Sequence, residues 1–395
     1  MYADAASGLS REARPVSGRR TAVVVGAGAM GAAAARVLAE RGWGVTLLEQ
    51  HAIGHDLGGS GHATRSFRLS HNDADDVRLA LRALELWNDL ERRGGETLLR
   101  RNGLLQRGSV VPPMAAALRE AGVRYDELDP SDVARLFPEL RPQPDAPAIF
   151  QPDGAVILAH RSILVQIRLA CASGAVVHER EKCVALSPQG DGVRAFTRRR
   201  RIDADVAVVC AGPWSLPLLV PLGLRLPLQA GLAQVTSFRS LYPGWEQRPG
   251  LMERTAGPGI YGMPEHGRGY KLGWATINPM TFWKDSKVRP YDRENEQALV
   301  ERVREDFPGF DPTPLRHEAG PITLVPDELF VIDRRGPIVV GAACIGHAFK
   351  FSPVLGELFA DLAEERPLPP EARRFSLDRP TLTPERRSGR VAVGA

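Results

Sequence analysis

Three glycines and one acid near the start of the chain have the types and spacing of a dinucleotide-binding site. An apolar run leads into Gly26-x-Gly28-x-x-Gly31, an Ala-rich stretch follows, and a second apolar run ends at Glu49. In such a βαβ unit the glycines permit a tight turn, a close approach to a pyrophosphate and close helix packing. The helix N-terminus attracts phosphates, and the acid can bind a ribose. A plain βαβ crossover does not explain all three glycines, so we predict a dinucleotide site.

The cysteines and a basic run show no comparable pattern. The cysteines are Cys171, Cys183, Cys210 and Cys344. They lack C-x-x-C spacing and lie in or beside apolar runs, so we expect buried free thiols in a reducing, cytoplasmic compartment. A nucleic-acid patch and a solvated hairpin tip both fit the run Arg198–Arg201. The hairpin tip is favoured because no aromatic residues are interleaved, and we expect no nucleic-acid partner.

Length and hydropathy limit the class of protein. The 395 residues predict two domains, and 43% hydrophobic with 25% charged residues is an ordinary globular composition. No window carries about 18 uninterrupted apolar residues, so we expect no membrane span. Residues 1–20 lack an apolar signal core, and they predict a disordered leader rather than a secretion signal.

The elements that must position these residues come in separated pieces. Strand and helix patterns typical of nucleotide-binding domains occur at 21–50, 161–177 and 206–212, and they return at 338–362. Residues 228–283 instead alternate and contain Gly, Pro and aromatics, as antiparallel strands do. A nicotinamide dehydrogenase usually keeps its binding domain contiguous, so this arrangement favours a flavoprotein that binds FAD.

The predicted fold class is α/β, in an α+β arrangement of two domains. One is a Rossmann-type FAD-binding domain built from discontinuous segments, and the other is an inserted substrate domain with a mixed, largely antiparallel sheet. The predicted boundaries are 21–92, 150–220 and 320–370 for the first, 93–149 and 221–319 for the second, and 371–395 for a peripheral tail. Helices are expected at 77–92, 161–173 and 291–306, with another that starts near Pro353 and points its N-terminus at 346–350.

Five motifs give the chain a resemblance to a known family. They are the glycine fingerprint; Gly59-Ser-Gly-His-Ala-Thr64-Arg65-Ser-Phe-Arg68; Val208-Val-Cys-Ala-Gly212-Pro-Trp214; Tyr261-Gly-Met-Pro264 with Lys271-Leu-Gly273; and Asp327-Glu-Leu-Phe-Val-Ile-Asp333 with Gly346-His347-Ala-Phe349-Lys350. Each motif is modest alone. Their order and spacing resemble the D-amino-acid oxidase superfamily of FAD-dependent oxidoreductases, and most closely the group of monomeric sarcosine oxidase and N-methyltryptophan oxidase.

The resemblance implies that Arg68 and Lys350 hold the substrate carboxylate. A guanidinium offers a planar two-pronged fork, and an ammonium adds a point charge. For Arg68 the alternative is a surface ion pair with a nearby aspartate, and for Lys350 it is a solvated position on a helix surface. The aspartates are Asp73, Asp75 and Asp76.

The resemblance also implies roles for residues around the flavin. Lys271 would hold water near flavin N5 and promote the reaction with oxygen, with an exposed strand lysine as the alternative. Arg65 would pack near the ring, and Tyr261 would line the substrate pocket, with a core tyrosine as the alternative. His347 matches a family histidine, although a structural histidine fits equally. The C-terminal loop would place a helix N-terminus and Lys350 near N1 and O2 of the reduced flavin.

The remaining candidate cofactor contacts come from the same motifs and from one isolated cysteine. Besides Gly26, Gly28, Gly31 and Glu49, the residues expected to bind FAD are Met30, Gln50, Ser60, Thr64, Arg65, Cys183, Ala211, Gly212, Trp214, Gly346, His347, Phe349 and Lys350. We expect no bound metal.

The chain departs from the family at several positions. The family's flavin-linking cysteine falls at Gly320, and no cysteine stands from Phe307 to Ala343, so we expect non-covalent FAD. A family tyrosine falls at Ile322, a histidine falls at Ala275, and an early His-Gly pair is altered to Gly61-His62. These changes put sarcosine itself in doubt, while the two cations keep an amino acid as the expected substrate class.

We therefore expect a FAD-dependent oxidase for the C–N bond of an amino or imino acid, in particular a secondary or cyclic amine. Hydride transfer to flavin N5 would give an imine, and O2 would reoxidise the flavin to give hydrogen peroxide. A FAD-dependent dehydrogenase with another acceptor and a non-catalytic FAD-binding protein stay open as alternatives. The expected partners are the small substrate and O2, without nucleic acid or membrane, and a monomer is favoured.

Overall fold

A computed structural model describes residues 10–12, 18–255, 257–275, 278–280 and 291–382. Its helices are α1 (Ala29–Glu40), α2 (Ala74–Gly94), α3 (Val111–Glu120), α4 (Pro130–Leu136), α5 (Ala159–Ala172), α6 (Leu216–Leu219), α7 (Arg293–Asp306) and α8 (Ala348–Ala363). Within these described ranges, no helix combines the length and apolar character needed to cross a bilayer.

The strands are more numerous and mostly short. They are β1 (Ser10–Glu12), β2 (Thr21–Val25), β3 (Gly44–Leu48), β4 (Thr64–Phe67), β5 (Leu99–Arg100), β6 (Leu104–Gly108), β7 (Asp126–Glu127), β8 (Ala148–Gln151), β9 (Ala155–Leu158), β10 (Val176–His178), β11 (Ala185–Gln189), β12 (Gly192–Phe196), β13 (Arg200–Ala204), β14 (Val206–Val209), β15 (Gln229–Ser240), β16 (Gly250–Arg254), β17 (Ile260–Glu265), β18 (Gly269–Trp274), β19 (Asn278–Met280), β20 (Phe310–Leu324), β21 (Val331–Arg335) and β22 (Ile338–Ala342).

These elements form two compact units, each built from non-contiguous segments. The first comprises the described residues of Met1–Gly61, His160–Ala230 and Ile322–Arg390, and the second those of His62–Ala159 and Gly231–Pro321. The predicted α/β class with a discontinuous nucleotide-type domain is confirmed. The boundaries differ from those predicted, since 62–92, 150–159 and 320–321 lie in the second unit and 221–230 in the first. Residues 62–92 and 150–159 belong to the second unit because β4 and β5 both pair with β9.

The first unit is centred on a six-stranded sheet in the order β10-β3-β2-β14-β22-β21. Its strands are parallel except β21, which runs antiparallel to β22. A parallel sheet is covered on both faces, which explains why β2 and β14 are buried at every position. The small residues of α1 allow α8 to pack closely, and a Cβ on Gly356 would lie only 2.8 Å from the carbonyl oxygen of Ala33.

The second unit is built on a nine-stranded sheet. Its order is β19-β15-β18-β17-β16-β6-β8-β7, with β20 paired to β15. Most neighbours are antiparallel, as the alternating sequence predicted, whereas β16 and β6 are parallel. The ring of Tyr270 packs against Phe137 and Phe310 with centroids 5.2 and 5.4 Å apart, a favourable aromatic geometry. This packed core supports β17 and β18, which carry Tyr261 and Lys271.

Both ends of the chain correct the prediction. β1 pairs in parallel with β13, so residues 10–12 of the predicted leader form a strand, which satisfies an otherwise unpaired sheet edge. Residues 371–382 of the predicted peripheral tail belong to the first unit, where Phe375 is 1% exposed and its ring lies 5.1 Å from that of Phe330. The remaining residues of 1–17 and of 371–395 lie outside the described part of the chain.

The start of α8 also differs from the prediction. The helix begins at Ala348, so Pro353 lies inside it rather than at its first turn. A proline at this depth removes one backbone hydrogen bond. Burial of almost every side chain of the helix offsets that loss.

The cysteines and the basic run were predicted in part. Cys171 on α5 is exposed and Cys344 is only partly buried, which corrects the prediction of buried thiols for these two residues. Cys183 and Cys210 are buried, and all four cysteines are free. The basic run lies at the hairpin that joins β12 and β13, where Arg200 pairs with Glu181 at 2.8 Å.

Replacement of Arg379 by alanine should release residues 370–382 from the first unit. Arg379 contacts Asp327 through two hydrogen bonds of 2.6 and 3.1 Å. Burial alone would raise the pKa of Asp327, but bonds from Arg379 and Thr381 hold that pKa below its ordinary value. The pair therefore stabilises the fold above the ordinary carboxyl pKa, and this contribution is lost as the pH falls through the lower folded-state value.

We expect Arg379→Ala to cost on the order of 2–3 kcal/mol, because the pair is buried except for a small exposed fraction. The variant should melt at a lower temperature at neutral pH and be cut by trypsin within the released segment. Arg373→Ala removes an exposed arginine of the same segment and is the control. Equal melting temperatures and cleavage rates in the two variants would show that the Asp327 pair does not hold the segment.

Candidate functional site

The turn between β2 and α1 requires glycine at two positions. Gly26 has a φ of +98°, and a Cβ there would lie 2.5 Å from the carbonyl oxygen of Cys210. A Cβ on Gly31 would lie 1.8 Å from the carbonyl oxygen of Gly26. Only glycine therefore lets α1 begin this close to β2. This is the geometry expected of a dinucleotide-binding turn.

Gly28 and Ser60 shape the space in front of the helix N-terminus. The hydroxyl of Ser60 accepts a hydrogen bond from the N–H of Ala29 at 3.0 Å. A Cβ on Gly28 would meet the same hydroxyl at 3.0 Å, so a larger residue would crowd this cradle. Met30 follows in the first turn of α1 and is partly exposed. The N–H groups of a helix N-terminus and a small hydroxyl fit the diphosphate of FAD.

Glu49 follows β3 and is 4% exposed. Its Oε2 accepts the N–H of Ala27 and its Oε1 the N–H of His51, both at 2.8 Å. Burial alone would raise the pKa of Glu49, but its bonds with His55 and these N–H groups hold that pKa below its ordinary value. The ionised carboxylate keeps further lone pairs for ribose hydroxyls. Sequence reasoning missed His55, whose Nε2 lies 3.3 Å from Oε1, because no spacing rule marks it.

Four other predicted cofactor residues follow the carboxyl ends of parallel strands. Gln50 comes after β3, and Ala211, Gly212 and Trp214 come after β14. The carboxyl ends of β2, β3 and β14 meet at one edge of the sheet, so these residues lie beside the glycine turn. The rings of Trp214 and His51 have centroids 6.0 Å apart.

Cys183 differs from the other predicted cofactor residues. It is 6% exposed, belongs to the apolar core of the first unit, and donates through Sγ to the carbonyl of Ala185 at 3.5 Å. Burial raises its pKa to about 12, so the thiol is neutral at ordinary pH. Its contact with the cofactor stays a prediction, and a core thiol offers a ligand little beyond its backbone.

The loop before α8 places Lys350 in the first turn of that helix. Gly346 and His347 are exposed, whereas Phe349 and Lys350 are 8% and 5% exposed. Nζ of Lys350 donates to the carbonyl of His347 at 3.1 Å. This burial excludes the alternative of a solvated lysine on the helix surface. The ammonium and the N-terminus of α8 together make this end positive, which suits an anionic ligand.

Lys271 lies in β18 and is 3% exposed, which excludes the alternative of an exposed strand lysine. Its Nζ donates to Oγ1 of Thr64 at 2.6 Å. Oε2 of Glu318 and Oε1 of Glu265 lie 3.6 and 3.8 Å from the same nitrogen. Burial lowers the pKa of Lys271, while the charges of Glu265 and Glu318 act in the opposite direction.

Sequence reasoning missed both of these acids. In the hairpin of β17 and β18, Met263 pairs with Lys271 and Glu265 pairs with Gly269. Strand alternation therefore puts Glu265 on the same face as Lys271, and the period of two could have indicated it. Glu318 comes from β20, far along the chain, and no local pattern marks it.

Arg65 and Tyr261 lie near Lys271. Nη1 of Arg65 donates to the carbonyl of Thr64 at 2.7 Å. Burial raises the pKa of Tyr261 and lowers that of Lys271, and the charge of Arg65 lowers both. Tyr261 is partly exposed, so it is not the fully buried core tyrosine considered as its alternative. The second unit thus brings together Thr64, Arg65, Tyr261 and Lys271.

Arg68 follows β4 in the second unit and is 7% exposed. It donates to a nearby backbone carbonyl. Burial lowers its pKa to about 10, with the charge of Asp76 acting the other way, so it stays cationic at neutral pH. Asp73 caps α2, and Asp75 pairs with Arg78 at 2.7 Å. Arg68 is therefore a buried cation rather than a member of a surface ion pair.

The structure also gives the locations of the other residues that the sequence analysis named. Arg68 belongs to the second unit and Lys350 to the first. Gly320 lies in β20, and Ile322 in the same strand is 4% exposed. His62, at the altered His-Gly pair, has a φ of +70° and contacts the carbonyl oxygen of Ala319 through Nε2 at 3.1 Å. Among the described residues, no cluster of His, Cys, Asp or Glu is suited to hold a metal ion.

Known proteins match the chain over most of its length. The sequence profile of the DAO family, described as FAD dependent oxidoreductase, matches residues 21–362. Monomeric sarcosine oxidase of Bacillus sp. (strain B-0618) is 32% identical over 380 residues, which cover 91% of this chain and 96% of that protein. N-methyl-L-tryptophan oxidase of Escherichia coli O157:H7 is 26% identical over 375 residues, which cover 90% and 98%.

A solved structure agrees with these sequence matches. NikD, an unusual amino acid oxidase essential for nikkomycin biosynthesis, superimposes with a TM-score of 0.79 and 29% identity, covering 90% of this chain and 97% of that one. The resemblance predicted from the five motifs is confirmed. With its glycine turn, its buried acid and this match across both units, the chain belongs to the DAO family of FAD-dependent oxidoreductases.

Proposed function

We propose that this enzyme uses non-covalently bound FAD to oxidise the C–N bond of an amino or imino acid, in particular a secondary or cyclic amine, to the imine. Bound FAD would supply the redox chemistry, a two-electron oxidation of the amine in which O2 is the final acceptor and is reduced to hydrogen peroxide. The relatives named for sarcosine and N-methyl-L-tryptophan support an N-substituted amino acid as the substrate class.

The observation that carries the proposal is the burial of a cation at each of the two predicted carboxylate-binding positions. Arg68 and Lys350 are 7% and 5% exposed. A buried guanidinium or ammonium binds a carboxylate more strongly than an exposed one, because water competes less for the charge. Held through its carboxylate, the substrate keeps one orientation, and the C–H bond next to nitrogen can face the reacting atom.

Tyr261, Lys271 and Arg65 have further roles in the proposed reaction. The substrate amine must be neutral, since its lone pair assists as the hydride leaves, and Tyr261 lines the pocket that holds it. Lys271 acts in the second half of the cycle, when its buried ammonium stabilises the negative charge that develops on oxygen. Arg65 adds positive charge beside Thr64 and Lys271.

One observation favours a second candidate, a dehydrogenase with the same first half-reaction and another electron acceptor. Gly320 stands where the resemblance places the family's linking cysteine. A flavin without that covalent link is compatible with an electron acceptor other than oxygen. We further propose a reducing, cytoplasmic location, which the four free cysteines support. We also propose that the protein is a monomer.

Anaerobic mixing tests the proposed reaction directly. Yellow holoenzyme should lose its visible flavin absorption when mixed without oxygen with sarcosine, N-methyl-L-tryptophan or L-proline as members of an amine panel. Air should then restore the absorption and release hydrogen peroxide. Bleaching without rapid recovery in air would favour the dehydrogenase. Failure of every amine in the panel to bleach the flavin would contradict the proposal and favour a structural FAD.

The flavin should be released when the protein is denatured. Trichloroacetic acid or guanidinium should leave all yellow colour in the supernatant after precipitation or filtration, because Gly320 offers no sulfur for a covalent bond. Colour that stays with the polypeptide would instead require attachment elsewhere. Cys171 and Cys344 would then be the thiols to replace, since burial raises the pKa of both Cys183 and Cys210.

Replacement of either buried cation should weaken carboxylate binding. Acetate bound near the ring should perturb the flavin spectrum. Its affinity should fall about tenfold or more in Arg68→Ala and in Lys350→Ala, since a charge-assisted hydrogen bond contributes roughly 1.5–3 kcal/mol. FAD should stay bound in both variants. Neutral acetamide should be affected much less, because it presents no net charge.

Two further variants make this measurement specific. Arg68→Lys keeps the charge but loses the planar fork, so its affinity for acetate should lie between those of the wild type and Arg68→Ala. Arg78→Ala removes an arginine that pairs with Asp75 at the surface, and it should bind acetate as the wild type does. Wild-type acetate affinity in both alanine variants of the buried cations would remove the case for an amino-acid substrate.

A further inference from the structure

A buried group of charged residues surrounds Lys271, and its acids have no part in the reaction proposed above. This group, which we call the lysine cluster, consists of Lys271, Thr64, Glu265, Glu318 and His62. The first four residues are at most 5% exposed. All five belong to the second unit. Two buried carboxylates therefore face one buried ammonium.

Thr64 links the lysine to the first carboxylate. Its Oγ1 accepts a hydrogen bond from Nζ of Lys271 at 2.6 Å and donates to Oε1 of Glu265 at 3.3 Å. The same Oε1 lies 3.8 Å from Nζ. The ammonium, the hydroxyl and the carboxylate therefore close a triangle between β4, β17 and β18, which fixes the direction of the lysine side chain.

Glu318 approaches the ammonium from β20. Its Oε2 lies 3.6 Å from Nζ of Lys271 and 3.8 Å from Nδ1 of His62. Nε of Arg316 and Nη1 of Arg268 lie 3.2 and 4.0 Å from its Oε1. These two arginine side chains are 46% and 42% exposed, so water screens their charges. The carboxylate thus has exposed cations on one side and the buried ammonium on the other.

We propose that Glu265 and Glu318 are positioning residues that keep Lys271 protonated and correctly aimed while the enzyme reacts with O2. The inference rests on the proposed role of Lys271 in that half-reaction. Two carboxylates within 4 Å favour the ammonium over the neutral amine, whereas burial and the neighbouring Arg65 favour the neutral amine. Burial lowers the pKa of Lys271 and the two acids oppose that shift, which agrees with the geometry.

The consequence for the reaction is a dependence on pH. A neutral amine cannot stabilise negative charge on oxygen, so Lys271 is useful only below its own titration midpoint. Removal of one carboxylate leaves the burial and Arg65 unchanged. The pH at which Lys271 loses its proton must therefore fall. The lysine then stops supporting the oxygen reaction at a lower pH than in the wild type.

Lysine titration by NMR tests the inference without reference to turnover. The chain contains only five lysines, so holoenzyme labelled with 13C at lysine Cε should give few signals. The signal of Lys271 is identified by its absence in Lys271→Met. We expect wild-type Lys271 to be protonated at neutral pH, and we expect Glu265→Gln and Glu318→Gln each to lower its midpoint by about one pH unit or more.

The control uses the strand that carries Glu318. Asp311→Asn also converts a carboxylate of β20 to an amide, but Asp311 pairs with the exposed Arg239, so the midpoint of Lys271 should not move. Wild-type Lys271 that is already neutral at pH 7 would overturn the inference even if no glutamine variant folds. So would a midpoint that is unchanged in both glutamine variants.

Stopped-flow reoxidation separates this inference from the proposed function. At low pH, reduced Glu265→Gln and Glu318→Gln should react with O2 at the wild-type rate. As the pH rises, each variant should lose that rate at a lower pH than the wild type does, at the Lys271 midpoint that NMR gives for that variant. Lys271→Met should slow reoxidation far more than reduction. Midpoints that move while reoxidation stays unchanged would support the control of charge by the two acids but contradict the role of Lys271 in the oxygen reaction.

Discussion

Burial of positive charge is the constraint on which the candidate site depends. Arg68, Lys271 and Lys350 are each less than a tenth exposed, and a cation placed in a protein interior must find compensating charge or hydrogen bonds. The groups that compensate the positive charge differ among the three residues. Lys271 has two carboxylates and a hydroxyl, Lys350 has a backbone carbonyl at a helix start, and Arg68 has a backbone carbonyl and the charge of Asp76. The two carboxylates beside Lys271 suit a permanent charge.

The first unit meets a different constraint, close approach of backbone to backbone. Gly31 and Gly26 bring the start of α1 against the end of β2, and the small residues of α1 let α8 pack against it. These contacts put helix N–H groups, the hydroxyl of Ser60 and the carboxylate of Glu49 at one end of the parallel sheet. Phosphates and a ribose are the groups that such a set of donors and acceptors recognises.

Local sequence predicted those features that local rules determine. The glycine turn, the strand Val206–Val209 and the helix 291–306, found as α7 over 293–306, follow from spacing and periodicity within a short window. Segment 62–92 was predicted in the wrong domain. It belongs to the second unit because β4 and β5 pair with β9, and a short sequence window does not contain both partners of these pairings. Strand alternation could have identified Glu265. Glu318 and His55 could not be identified from the local sequence, because distant strands or a folded loop bring them to their partners. The positions of Arg68, Lys271 and Lys350 came from the family resemblance rather than from periodicity, and their burial came from the fold.

The central claim is that an amino-acid carboxylate binds to a buried cation and so orients the amine for oxidation. The most direct measurement is a crystal structure of the FAD-loaded enzyme with a non-oxidisable amino-acid analogue. We expect the analogue's carboxylate to lie within hydrogen-bond distance of the guanidinium of Arg68 or of Nζ of Lys350. An analogue whose carboxylate lies elsewhere, with Arg68 still bonded to the carbonyl of Ser70, would contradict that claim.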